Sequence, residues 1–165
     1  MTEPEELIEA KLIAILSAAV PSVDVVGALS PAPEGELKQS PDTYISVFVD
    51  IDSQNIDFTG PGIPCTYSVR IVVHYANADD KSGAFFRDTC RAVRATFNPL
   101  LGDGCATLDG DGFECDSFRI AGTSTVPEMS SADGGMSKTY KATVVGRYIE
   151  PSSNEESNPT KQEET

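Results

Sequence analysis

The sequence predicts an α+β domain in which a small mixed, mainly antiparallel β-sheet is backed by two α-helices. Apolar and polar residues alternate over three segments, which is the period of a half-buried strand. Two other segments repeat apolar residues every three or four positions, which is the period of an amphipathic helix. The 165 residues, of which 39% are hydrophobic, suffice for one domain with a modest core. The predicted order of elements is α-β-β-β-α-β-β.

The first helix begins near the amino terminus. Thr2 is a good helix cap, Glu5 stands at the capping-box position, and Pro21 ends the helix. Its apolar face consists of Leu7, Ile8, Leu12, Ile15, Leu16 and Ala19. A helix of this pattern is expected to pack on a sheet.

Three strands are expected next. Val23–Leu29 is a short, weak candidate, and the breaker-rich residues 30–42 predict a loop. In Tyr44–Ile51 the predicted core face is Ile45, Val47, Val49 and Ile51. Thr66–Ala76 shows the strongest strand pattern in the chain. Its predicted core face is Tyr67, Val69, Ile71, Val73 and Tyr75.

A second helix is predicted at about Ser82–Phe97, ended by Pro99. Its apolar stripe is Phe86, Cys90, Val93 and Phe97. Beside this stripe, Arg87, Arg91 and Arg94 form a basic one. We expect the three arginines to contact an acidic surface on a neighbouring subunit or partner, and a solvated helix face is the alternative.

The rest of the chain predicts a strand at Phe113–Ala121, a long polar loop at Gly122–Ser137 and a last strand at Lys138–Ile149. Such a long loop between adjacent strands is usually functional or disordered. We therefore predict that this loop forms an interface, and a flexible hairpin end without a function is the alternative. The candidate interface residues are Thr125, Val126, Pro127, Glu128, Met129 and Met136. Residues 1–150 are expected to form one domain, and residues 151–165 a disordered acidic C-terminal segment.

Charge and apolar patterning exclude several classes of function. A net charge of −14 disfavours general nucleic-acid binding, which needs clustered Lys and Arg. The acidic first residues are unlike a signal peptide. The apolar stretch from Leu7 to Val20 is short and is interrupted by Glu9 and Lys11, so no membrane span is expected. The chain is therefore expected in a cytoplasm, where its four cysteines would be reduced; disulfides are the alternative.

The sequence carries no recognisable catalytic, cofactor-binding or metal-binding motif. His74 is the single histidine, and a lone histidine on a strand is usually half-buried or on the surface. The cysteines lack Cys-x-x-Cys spacing, and no nucleophile elbow or phosphate loop is present. The run Leu108–Glu114 fails the calcium-loop pattern at Phe113 and Glu114, so it predicts a turn before a strand. No enzyme activity and no cofactor are expected.

The arrangement of elements over roughly residues 5–150 resembles the tail terminator, or tail completion, proteins of tailed bacteriophages, which join head to tail. The resemblance lies in the opening helix Glu5–Leu12, the strand Tyr67–Tyr75, the helix Phe86–Ala95 and the closing strand Tyr140–Tyr148. The long loops and the acidic C-terminal segment go beyond the minimal pattern of that family.

The resemblance implies a virion structural protein, made in the host cytoplasm and located at the tail or neck. It implies a ring of identical subunits, often a hexamer, that caps the tail tube and ends its polymerisation. The implied partners are further copies of the chain, the tail tube protein and the head–tail connector or neck proteins. Two alternatives stay open: another structural protein of the tail or head–tail junction, and a small binding domain or unrecognised enzyme.

Overall fold

A computed structural model describes residues 3–27, 43–54, 60, 62–75, 83–110, 112–127 and 136–149, with backbone alone at 124–127 and 136. The long helices are α1 (Pro4–Ala19) and α2 (Ala84–Phe97). The strands are β1 (Asp24–Gly27), β2 (Thr43–Gln54), β3 (Ile63–Tyr75), β4 (Phe113–Pro127) and β5 (Met136–Tyr148). Two short 3₁₀ helices, Asn98–Leu100 and Gly102–Leu108, lie between α2 and β4. The α+β class and the order of its main elements are as the sequence predicts.

The five strands form one sheet in the order β1-β2-β3-β5-β4. The short β1 runs parallel to β2, and the other three pairs are antiparallel. The sheet is therefore mixed and mainly antiparallel, as predicted. The strand that comes last in the chain, β5, lies between β3 and β4.

Both helices cover the same face of the sheet. The predicted core faces of β3 and of both helices supply many of the buried side chains, including Leu12, Val69 and Phe97. The Tyr140 hydroxyl on β5 donates a hydrogen bond of 2.9 Å to the Cys90 carbonyl on α2. A buried bond of this kind contributes about 1 kcal/mol and fixes α2 on the middle of the sheet.

Helix α1 lies close to β1 because Gly27 has no side chain. The fully buried Glu9 side chain occupies the space that a Cβ at Gly27 would need. A larger residue at position 27 would push α1 away from the sheet edge.

The predicted burial of Ile51 is wrong, since this side chain is 46% exposed. Strand β1 pairs with β2 only between Tyr44 and Val47, and the register with β3 shifts between Ile51 and Ser53. Apolar and polar residues alternate along β2 as far as Ile51, but the structure that buries the earlier apolar side chains does not extend over Ile51.

The predicted loop at Gly122–Ser137 is also wrong at both ends. Strand β4 continues to Pro127 and β5 begins at Met136, with Pro127 opposite Met136. A register shift between Ile120 and Gly122 interrupts the alternation, and pairing then continues. The connection that remains, residues 128–135, lies outside the described residues, as does the predicted C-terminal segment 151–165.

Candidate functional site

The single histidine has an ordinary structural environment. His74 is half-buried, as expected, and its ring stacks on Tyr44 with centroids 4.3 Å apart. The Nε2 atom of His74 lies 3.0 Å from the Ser46 hydroxyl oxygen, within hydrogen-bond distance. These contacts hold the imidazole against the sheet face that the helices leave open.

In the acidic turn before β4, Asp109 bonds to the protein's own backbone. The Asp109 carboxylate accepts a hydrogen bond of 2.6 Å from the backbone N–H of Cys115. Within the described residues, no three His, Cys, Asp or Glu side chains are grouped as metal ligands. None of the helices described there is long and apolar enough to cross a membrane.

All four cysteines are buried free thiols. The Cys105 thiol donates to the carbonyl oxygen of Cys115 at 3.4 Å. Burial, together with the neighbouring Cys105, raises the pKa of the Cys115 thiol to about 12. Burial also raises the pKa of the Cys90 thiol. Protonated thiols are poor nucleophiles, so these two side chains suit packing rather than catalysis.

The basic stripe predicted on the second helix lies on one exposed flank of α2. Arg87, Arg91 and Arg94 are all exposed. The Arg91 guanidinium, on a side chain that is 79% exposed, forms an ion pair of 3.1 Å with Asp88. An ion pair this open to water adds little to stability, so Arg91 can exchange Asp88 for a partner's carboxylate at little cost to the fold.

An apolar groove, which the sequence analysis did not foresee, lies between the two helices beside this flank. It measures about 590 Å³ and is lined mainly by small side chains, among them Ala18, Ala92 and Ala95, with Leu100 at its base. The recurrence of alanine on the facing sides of both helices is the signal that sequence reasoning missed.

The sheet face away from the helices is polar and carries two ion-pair groups. Arg70 lies 3.8 Å from the Asp50 carboxylate, and its guanidinium lies 5.3 Å from the centre of the Phe48 ring. Arg147 lies 3.4 Å from Glu114 and 3.1 Å from Asp116. These pairs join neighbouring strands on the face that α1 and α2 do not cover.

The predicted interface segment lies at one end of the sheet. The backbone of Thr125, Val126 and Pro127 is paired with the first residues of β5, where Met136 stands opposite Pro127. Glu128 and Met129 lie outside the described residues. The described part of the segment is therefore one arm of a β-hairpin that includes the outermost strand, β4.

Comparison with known proteins identifies a similar fold. No family model matches the chain, and no curated protein matches it. A chain from a solved structure of the virion of a native gene transfer agent (GTA) particle is 20% identical, with a TM-score of 0.52. The match covers 84% of this chain and 91% of that one. A second solved chain, 15% identical over 82% of this chain and 89% of its own, has a TM-score of 0.43. The first match shows that the two chains share a fold.

Proposed function

We propose that the protein is a structural component of a phage-type virion and that it acts as a tail terminator. In this role, copies of the chain form a closed ring, expected to be a hexamer, on the end of the tail tube. The ring ends tube polymerisation and presents a surface to the connector or neck proteins of the head. The protein would thus be located at the tail or neck of the particle and would act without catalysis.

The observation that carries this proposal is the match to a chain of the GTA virion particle. Because it covers 84% of this chain and 91% of that one, it involves nearly the whole of both domains rather than a shared motif. Because a shared fold alone does not establish function, further support for the proposal must come from the exposed surfaces of the domain. The exposed α2 arginines on a chain of charge −14 offer a contact that draws identical acidic subunits together.

The test is negative-stain electron microscopy of the purified protein, alone and after mixing with tail tubes. We expect rings on one end of each tube and tubes of fixed length when the protein is present during polymerisation. Tubes without any added density, together with unrestricted tube growth, would contradict the proposal.

A second candidate, another structural protein of the tail or head–tail junction, is supported by the same match to a particle chain. The two candidates differ in copy number and position. Labelling the protein within intact particles tests them, since a terminator occupies a single ring at the head-proximal end of the tube.

A further inference from the structure

We propose that the outer edge of β4 from Arg119 to Pro127 pairs antiparallel with the Phe48–Gln54 end of β2 in a second copy of the chain. This inference rests on the proposed ring and names the strands that join neighbouring copies. The two segments are open edges of the same sheet, at opposite sides of the domain.

The two halves of the β4 edge differ. β4 is the outermost strand and has 15 residues, so it presents a long row of backbone donors and acceptors. At Cys115, side chains satisfy these groups: Asp109 accepts from the N–H and Cys105 donates to the carbonyl. From Arg119 onward, the described residues provide no comparable capping contact. Since open strand edges tend to recruit another strand, this half is the one available for pairing.

The other open edge is on β2. Strand β1 pairs with β2 from Tyr44 to Val47 and ends there, so among the described residues no strand flanks Phe48–Gln54 on that side. Through the antiparallel pairs β2–β3, β3–β5 and β5–β4, the strands β2 and β4 run in opposite directions. Continuing the sheet from one copy into the next therefore makes β4 antiparallel to the neighbouring β2.

The side chains of the two edges match on both faces. Ile120 on β4 and Ile51 on β2 are 42% and 46% exposed, and both stand on the helix-covered face, opposite the buried Ala142 and Tyr67. Edge-to-edge pairing would remove both isoleucines from water.

Charges on the open face are complementary. Arg119 is exposed and has no ion pair within the described residues. Asp50 stands on the same face of β2, and its side chain is 74% exposed despite the contact with Arg70. Pairing of the two edges would place a carboxylate within reach of Arg119.

The geometry is compatible with a closed ring of inclined strands. The β4 segment lies near the Tyr75 end of the sheet, and the β2 segment lies near the Cys65 end, so neighbouring copies are offset along the strands. Such an offset closes into a ring when the strands tilt relative to the ring axis, as in a barrel. The contact is heterologous, which is the type that generates rings.

The first test compares Ile120→Lys with Ile149→Lys. Both isoleucines are 42% exposed, but Ile149 follows the end of β5 and lies off the proposed edge. In the full-length chain with tail tubes, we expect Ile120→Lys to reduce ring formation at least tenfold and Ile149→Lys to leave it unchanged. Equal melting temperatures establish that both variants are folded. Equal ring formation by the two variants would overturn the inference.

The second test is a charge exchange. Arg119→Asp and Asp50→Arg should each weaken ring formation, and the double variant should restore it. Rings that form equally well in both single variants, or a double variant no better than either single one, would overturn the inference. Where the wild-type protein forms rings in these assays, a negative result with the variants overturns the strand pairing alone and leaves the proposed function intact. If the wild-type protein forms no rings, the strand pairing and the proposed function both fail.

Discussion

At the scale of single residues, Cys115 joins the β4 strand to the turn before it. Its N–H donates to Asp109, its carbonyl accepts from Cys105, and its thiol is buried. Burial also raises the pKa of the Tyr67 and Tyr140 hydroxyls above their ordinary values. The core therefore contains several groups that must stay protonated for the fold to persist.

This burial predicts loss of stability at alkaline pH. In the unfolded chain the Cys115 thiol ionises from its ordinary pKa of 9.0, whereas in the folded protein its pKa is about 12. Above pH 9 the folded state retains the proton that the unfolded state loses, so the free energy of unfolding falls as pH rises. We expect a loss of roughly 1 kcal/mol from this thiol between pH 9 and 10, measured by urea unfolding.

The control for this prediction is Cys115→Ala, which removes the titrating thiol. The variant should be less stable near neutral pH because a buried side chain is truncated, but its stability should fall less steeply between pH 9 and 10. A slope equal to that of the wild type would show that other groups cause the alkaline loss.

At the scale of elements, α2 shows what the sequence can predict and where its signal ends. The stripe of Phe86, Cys90, Val93 and Phe97 predicts the buried face correctly, because helical periodicity depends on the element alone. The exposure of Ile51 and the pairing beyond Gly122 depend on where neighbouring strands end and shift register. That information lies in contacts between distant segments, so local alternation does not contain it.

Among the candidate surfaces, too, those formed by one element were predicted and those formed between elements were not. Helical spacing predicts correctly that Arg87, Arg91 and Arg94 share one exposed flank of α2. The groove between α1 and α2 and the capped half of β4 were not predicted, because they arise where separate elements meet. The role of the arginines in assembly stays a prediction.

Charge reversal of the α2 flank tests that role. Changing Arg87, Arg91 and Arg94 to Glu should reduce ring formation and its dependence on salt, since attraction between acidic subunits would be lost. The measurement is light scattering and microscopy with tail tubes across a salt series. Reversing Lys11, Lys141 and Lys161, none of which belongs to α2 or to the proposed β4–β2 contact, gives the same change in net charge. Equal effects of the two triple variants would favour a solvated arginine face.

The β4–β5 hairpin provides another element-scale prediction. Replacing residues 128–135 with Asn-Gly leaves the Pro127 and Met136 pair in place and supplies a favoured two-residue turn. We expect the melting temperature to be preserved and tail capping to be lost, because we predict that this connection contacts the tube. Normal capping and infectivity in the shortened variant would instead indicate that the connection is dispensable.

At the scale of the whole molecule, the domain is a single sheet with helices on one face and a polar surface on the other. Among the described residues, the buried core side chains lie between Ile8 and Val144 and come from α1, α2, the strands, the 3₁₀ segments and the connection from α1 to β1.

Truncation after Glu150 should therefore leave the melting temperature unchanged within error. Residues 151–165 have a composition poor in apolar side chains, and we expect them to be dispensable for folding. Thermal unfolding followed by circular dichroism measures this directly. A marked drop in the melting temperature would mean that the segment packs on the domain or on a neighbouring copy.

The central position of β5 affects the order of folding during synthesis. Because β5 follows β3 and β4 in the chain but lies between them, a nascent chain that ends before Met136 cannot assemble the β3-β5-β4 half of its sheet. The β2–β3 pair and both helices are available earlier, whereas the second backbone edge of β3 waits for β5. Folding should therefore finish only after β5 has left the ribosome, and until then the open edge of β3 is a surface for chaperones to protect.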